Sequence, residues 1–199
     1  MMDLINQVRQ LTSANTGEYT AGDNVYWLDD HIQDVLDRHA EYLIDYPLQW
    51  QPSTNASGVL AYKVAQSAYG YLEGLPSGTA RFYVNTAAGS VVGTANYSVN
   101  YNQGRITFTS DQGGTAYYLS AYSYDVYTAA ADIWRQRLAN FSDWYDFRAD
   151  NQTFTRSQAF DHAQAMLRLM EQRRGSNVLQ NQGDLRTGQF QRTDINVSY

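Results

Sequence analysis

Few residues in this chain could do chemistry. There are three histidines, His31, His39 and His162, and no cysteine. His31 and His39 lie eight residues apart, and on a helix their faces differ, so they make no i,i+4 metal pair. Without cysteine there is no thiolate ligand, no disulfide and no thiol nucleophile. The glycines fall between short runs of strand-forming residues, where turns explain them, and none belongs to a phosphate-binding loop, a nucleophile elbow or a dinucleotide fingerprint. The densest carboxylates are Asp29, Asp30, Asp34 and Asp37. Their spacing is that of a solvated helix face, whereas acid–base catalysis needs a cleft and shifted pKa values. Neither an enzyme nor a bound metal or cofactor is expected.

The arginines are the other concentration of charge: Arg135, Arg137, Arg148, Arg156, Arg168, Arg173 and Arg174 crowd one later stretch. They could contact phosphate. The stronger reading is pairing with the acidic early segment, within one subunit or between neighbours, because guanidinium forks suit carboxylates at interfaces. Residues 1–46 hold nine carboxylates against Arg9 and Arg38, and the net charge of the chain is −6 with Lys63 as its one lysine. Such a protein is poorly made for gripping DNA through phosphates, though it could surround DNA.

The elements that must position these residues follow from periodicity. Leu4, Val8 and Leu11 mark a first amphipathic helix ending near Asn15-Thr16-Gly17, and Leu28, Ile32, Val35 and Leu36 mark a second from about Val25 to Asp37. From about 41 to 124 the composition turns to Tyr, Val, Thr, Ser and Gly, with candidate strands at 41–50, 59–72, 80–85, 96–101, 105–110 and 115–124. That block should form an antiparallel sandwich or barrel. Its tyrosines serve chiefly as cross-strand filler, in a chain with 17 Tyr against 7 Phe and 4 Trp. After Asp125 the helical period returns through Ala130, Ile133, Trp134, Leu138 and Phe141, with Ala129-Ala130-Ala131 allowing close approach. An extended connector, 147–154, leads to Thr155-Arg-Ser-Gln158, a capping-box pattern, and to a last helix with Phe160, Ala163, Leu167 and Met170 on one face.

The fold class is therefore α+β. Residues 1–38 and 125–174 supply two short helix pairs, each too small to bury its own core, which should pack together as one bundle. Residues 39–124 are an inserted β domain, and 175–199 an extended C-terminal arm with no regular period. Leu185, Phe190, Arg192, Ile195, Val197 and Tyr199 are spaced along the arm like anchors for a partner's groove or sheet edge. The opening residues show no secretion signal and no apolar run is long enough to span a membrane, so a cytoplasmically made, membrane-free protein is expected.

Tyr124-Asp-Val-Tyr-Thr-Ala-Ala-Ala-Asp-Ile-Trp134, Tyr145-Asp-Phe147 and Thr155-Arg-Ser-Gln158, in that order after two short helices, resemble the head-to-tail adaptor (connector, neck) proteins of long-tailed bacteriophages. Gly104-Arg-Ile-Thr-Phe108 resembles the family's last hairpin before its long helix. The likeness covers residues 1–38 and about 100–174, and it rests on order and spacing rather than on any one motif. It implies a virion structural protein at the neck, assembled as a ring of typically twelve copies under the portal. The partners it implies are the portal protein, other copies of itself and a tail-side neck, stopper or tail-terminator protein. DNA would pass through the ring without specific binding, and Asp29, Asp30, Asp34 and Asp37 could line that channel. Trp134, Arg137, Phe147, Arg156 and Gln158 become candidates for bundle and assembly contacts, and the arm residues for docking on portal or neighbour. The chain departs from simpler members in its enlarged β block. The alternative is a Tyr-rich β-sandwich that binds carbohydrate or protein, carried on an oligomerising helical stalk.

Overall fold

A computed structural model describes the backbone of residues 1–16, 19–21, 24–54, 58–74, 82–142, 147–149, 152–154, 156–175 and 177–179. Helix α1, Met2–Thr12, buries Leu4, Ile5 and Val8 and ends where Ser13 takes a left-handed conformation. Strands β1, Tyr19–Ala21, and β2, Asn24–Tyr26, pair antiparallel. Helix α2 is shorter than its sequence suggests, Asp29–Asp37 rather than from Val25. Ile32, Val35 and Leu36 are buried on one face, whereas Leu28 precedes the helix and is 39% exposed, and residues 24–26 are β-branched or aromatic in part and prefer the hairpin. Trp27 then reverses the chain at φ +65° and is 3% exposed.

The β block leaves and re-enters the helices side by side. Strand β3, Ala40–Pro47, begins just after α2; strand β9, Tyr117–Tyr124, pairs with it antiparallel and runs straight into helix α3, Val126–Ser142. Between them lie β4 (Gln49–Thr54), β5 (Leu60–Gln66), β6 (Tyr83–Thr86), β7 (Tyr97–Asn100) and β8 (Arg105–Phe108). The sheet orders are β3-β9-β6 and β4-β5-β8-β7. Leu43, Val84, Leu119 and Ala121 from one sheet share a core with Ala65, Tyr97, Ile106 and Phe108 from the other, which makes a two-sheet sandwich.

The run expected as one strand, 41–50, is two, because the chain crosses between sheets at Pro47-Leu48. Its second half continues through Pro52, tolerable there because β4 is a sheet edge. The strand expected over 59–72 stops at Gln66, and Ser67 to Leu72 make only isolated bridges.

Helix α3 is the hub of the helical part. Its Ala129 and Ile133 meet α1 and α2, while Ala130, Ala131 and Trp134 meet Ala163 and Met170 of helix α4, Arg156–Gln172. At 100° per residue these contacts place α2 and α4 on different sides of α3. The connector between α3 and α4 is a small hairpin of β10, Phe147–Ala149, and β11, Gln152–Phe154. Thr155 of the capping-box pattern lies outside the described residues.

One glycine holds the sandwich closed at the β7–β8 turn. Gly104 has φ +60°, and a Cβ there would lie 2.0 Å from the Tyr69 carbonyl oxygen. Gly104→Ala should lower unfolding free energy by about 2–4 kcal/mol, combining left-handed strain with a forced backbone shift. Urea denaturation measures it, and an unchanged midpoint would contradict the close approach.

Candidate functional site

Two kinds of surface stand out among the described residues: contacts that fix the parts relative to one another, and exposed faces of the helices and sheets. The first is a junction at Asp125, where strand β9 becomes helix α3. The Asp125 carboxylate accepts from the Thr128 N–H at 3.0 Å and from the Thr128 hydroxyl at 2.6 Å, which caps the helix. Its own N–H donates to the His39 carbonyl at the end of α2. Its second oxygen also accepts from the Gly175 N–H at 2.7 Å, just past α4. One side chain and its backbone thus tie the β block, α2, α3 and the end of α4.

Around it, Tyr71 of the β block meets Tyr127 of α3 edge to face, and Arg173 lies over the Tyr127 ring at 5.6 Å. Burial, with the Tyr127 hydrogen bond second, pushes the Tyr71 phenol up to about 12, so it stays neutral at any physiological pH.

The arm is rooted here. Gly175 turns the chain at φ +75°, the Gly70 N–H donates to the Asn177 carbonyl, and the Leu179 N–H donates to the Ala68 carbonyl. Val178 bridges Tyr69 antiparallel, and Asn177, 6% exposed, donates to the Ser123 hydroxyl. The start of the arm, expected to lack structure of its own, is therefore an added edge segment of the β block through Leu179. Leu185, Phe190, Arg192, Ile195, Val197 and Tyr199 lie outside the described residues.

At the far end of the bundle, Trp134 and Arg137 hold the β1–β2 segment. Trp134 is 3% exposed; its indole N–H donates to the Leu11 carbonyl at 3.3 Å, and its ring meets His162 of α4 edge to face. The Arg137 guanidinium lies between the Trp27 and Trp134 rings, at 5.7 and 5.2 Å, and donates to the Ser13 carbonyl. Arg9 donates to the Ala14 and Trp27 carbonyls and pairs with Asp29 at 2.6 Å. Trp134 and Arg137 thus meet each other in the structure. Trp27 and Arg9 were missed because their role depends on a chain reversal that periodicity does not register. Phe147 pairs with Phe154 in the hairpin register and Arg156 opens α4, while their side chains lie outside the described residues. Gln158 is exposed in the first turn of α4.

The acidic residues divide. Asp29 is engaged by Arg9, while Asp30, Asp34 and Asp37 fall on one exposed face of α2. The expected pairing of the later arginines with these acids is not what Arg135 does. It bonds Asp132 at 2.5 Å and Glu171 at 2.6 Å, within its own helix pair, and those hydrogen bonds raise its pKa. Asp132 also takes His39 at 2.7 Å.

Beside the acidic face, a cleft of about 290 Å³ opens between α2 and α3. Trp27, Ile32, Val35 and Ile133 line it, with His31, Asp34, Arg38 and Gln136 also bordering it. Among the described residues no group of three or more His, Asp or Glu is placed to hold a metal ion, and no helix is long and apolar enough to cross a membrane.

No protein family, curated protein or solved structure matches the chain.

Asp125→Ala should cost about 2–4 kcal/mol, an N-cap together with a charge-assisted hydrogen bond to Gly175. Asp125→Asn, which keeps an acceptor for the cap, should cost less than half of that. Urea unfolding gives the energies, and faster hydrogen exchange at the Gly175 amide in both variants would locate the loss at the arm root; equal stability of all three proteins would refute the junction.

Proposed function

We propose that this chain is a structural subunit of a tailed-bacteriophage virion, a head-to-tail adaptor that forms a homo-oligomeric ring beneath the portal and carries the DNA channel toward the tail. The observation that supports it best is the packing of helices from both ends of the chain around α3, with a C-terminal arm rooted at the same joint. The order of elements, two short helices, a β block, an Ala-rich helix with Trp134, a short extended connector and a last helix, agrees with the adaptor resemblance, whereas the expected last hairpin does not form, since β8 and β9 lie in different sheets.

The mechanism is interfacial. A ring subunit needs two different flanks for its two neighbours and a tether to the structure above it. The bundle offers flanks in α2 and α4, and the arm offers the tether. The net charge of −6 would let DNA pass without adhesion, because like charges repel. The reading places the protein at the neck of the virion, in contact with portal, neighbouring copies and a tail-side neck, stopper or terminator protein, in a ring of typically twelve.

A second reading has one observation in its favour. Tyr42 stacks on Tyr122 at 4.6 Å on a sheet face where Tyr42 is 44% and Ile44 70% exposed, a patch that could take sugar or protein.

Mass photometry of the chain mixed with the portal protein from the same genome separates the two. Full-length chain should give stoichiometric, ring-sized complexes, and a chain ending at Leu179, which keeps the arm root, should lose them. No complex with either form would overturn the adaptor reading. Glycan binding abolished by Tyr42→Ala would then favour the second.

A further inference from the structure

We infer that copies of this chain join by seating the outer face of α4 from one copy in the α2–α3 cleft of the next. This deepens the ring reading above and rests on it. Trp27, Ile32, Val35 and Ile133, each at most 5% exposed, form the floor of the cleft, and its accessible rim is polar, with His31, Asp34, Arg38 and Gln136. On α4, Asp161, Ala165, Arg168, Leu169 and Gln172 are exposed at spacings of four, three, one and three residues, a single face turned away from α3. Leu169, 38% exposed, is the apolar knob on that face, and Arg168 stands beside it.

The charges of the two surfaces are complementary. Helix α2 carries Asp29, Asp30, Asp34 and Asp37 and no cation within its bounds. On the α4 face Arg168 is the cation, with Asp161 two turns before it, and the nearby Glu171 is already engaged by Arg135. Helix α3 stands between α2 and α4, so Arg168 meets Asp34 across copies rather than within one. Arg38 sets the register, since it repels Arg168 and directs it one turn back along α2, to Asp34 and Asp30. The two surfaces are different patches of one molecule. Their contact is therefore heterologous and repeats from copy to copy until it closes.

The test uses the full chain, which has no native cysteine to interfere. Asp34→Cys combined with Arg168→Cys should oxidise to a ladder of disulfide-linked multimers, with and without portal, while neither single variant extends beyond a dimer. Charge reversal by Asp34→Arg or by Arg168→Asp should weaken self-association about tenfold, and the two together should restore most of it. Leu169→Asp should weaken it with the circular dichroism spectrum unchanged.

Rings or portal complexes that form without cross-linking and ignore the charge reversals would overturn this interface and leave the adaptor reading standing. No self-association under any condition, portal included, would sink both. Monomers whose size ignores Leu169→Asp, but whose segment 180–199 becomes more protease-sensitive, would give the α4 face to the chain's own tail and overturn the proposal.

Discussion

The structure hangs on the Asp125 carboxylate. A helix that begins directly at the end of a strand has free N–H groups and no loop in which to satisfy them, so the residue at the junction must cap the helix itself. Asp125 does this for Thr128 and accepts from Gly175 as well. The consequence is long-range. The first turn of α3, the last turn of α4 and the root of the arm share one anion, and the neighbouring backbone bond to His39 adds the end of α2. The sandwich and the bundle are held at a point where four segments meet. Gly70, Ser123 and Asn177 continue that joint into the sheet.

Where the sequence was legible, one physical signal dominated. The α1 and α3 stripes and the alanines that let α4 approach bury residues at a fixed period, and burial is what period reports. Boundaries failed where a competing local preference won. Residues 24–26 share the period of the following helix by chance of spacing, yet Val25, Tyr26 and Trp27 settle into a hairpin and a positive-φ reversal supported by Arg9 and Arg137. The crossing at Leu48 was hidden because both halves of 40–54 are extended and only the change of partner, from Tyr118 of β9 opposite Pro47 to Gln66 of β5 opposite Gln49, reveals the change of sheet.

The charged surfaces were legible in kind but not in arrangement. Composition marks α2 as acidic and the later helices as basic, and attraction between them is a fair first inference. Which carboxylate meets which guanidinium depends on the order of helices around α3, a tertiary fact. Arg135 faces Glu171 and Asp132 because those residues share its side of the hub. The cleft was invisible for a similar reason. Its walls come from residues more than 100 positions apart, Trp27 and Ile133, each of which reads in sequence as ordinary core.

The fixed root changes what the arm can do. A tail leaving a flexible terminus would search a volume set by the tumbling of the whole molecule. This one departs after Leu179 from an edge of the β block whose position relative to the helices is fixed by Asp125 and Asn177. The twenty residues from Gln180 onward can span at most about 65–70 Å when extended. Their anchors are thus tethered to a fixed point on the subunit, which sets their effective concentration for any partner within that reach. Repeated around a ring, such tethers would engage the same structure together, so individually weak anchors such as Ile195, Val197 and Tyr199 would suffice to hold it.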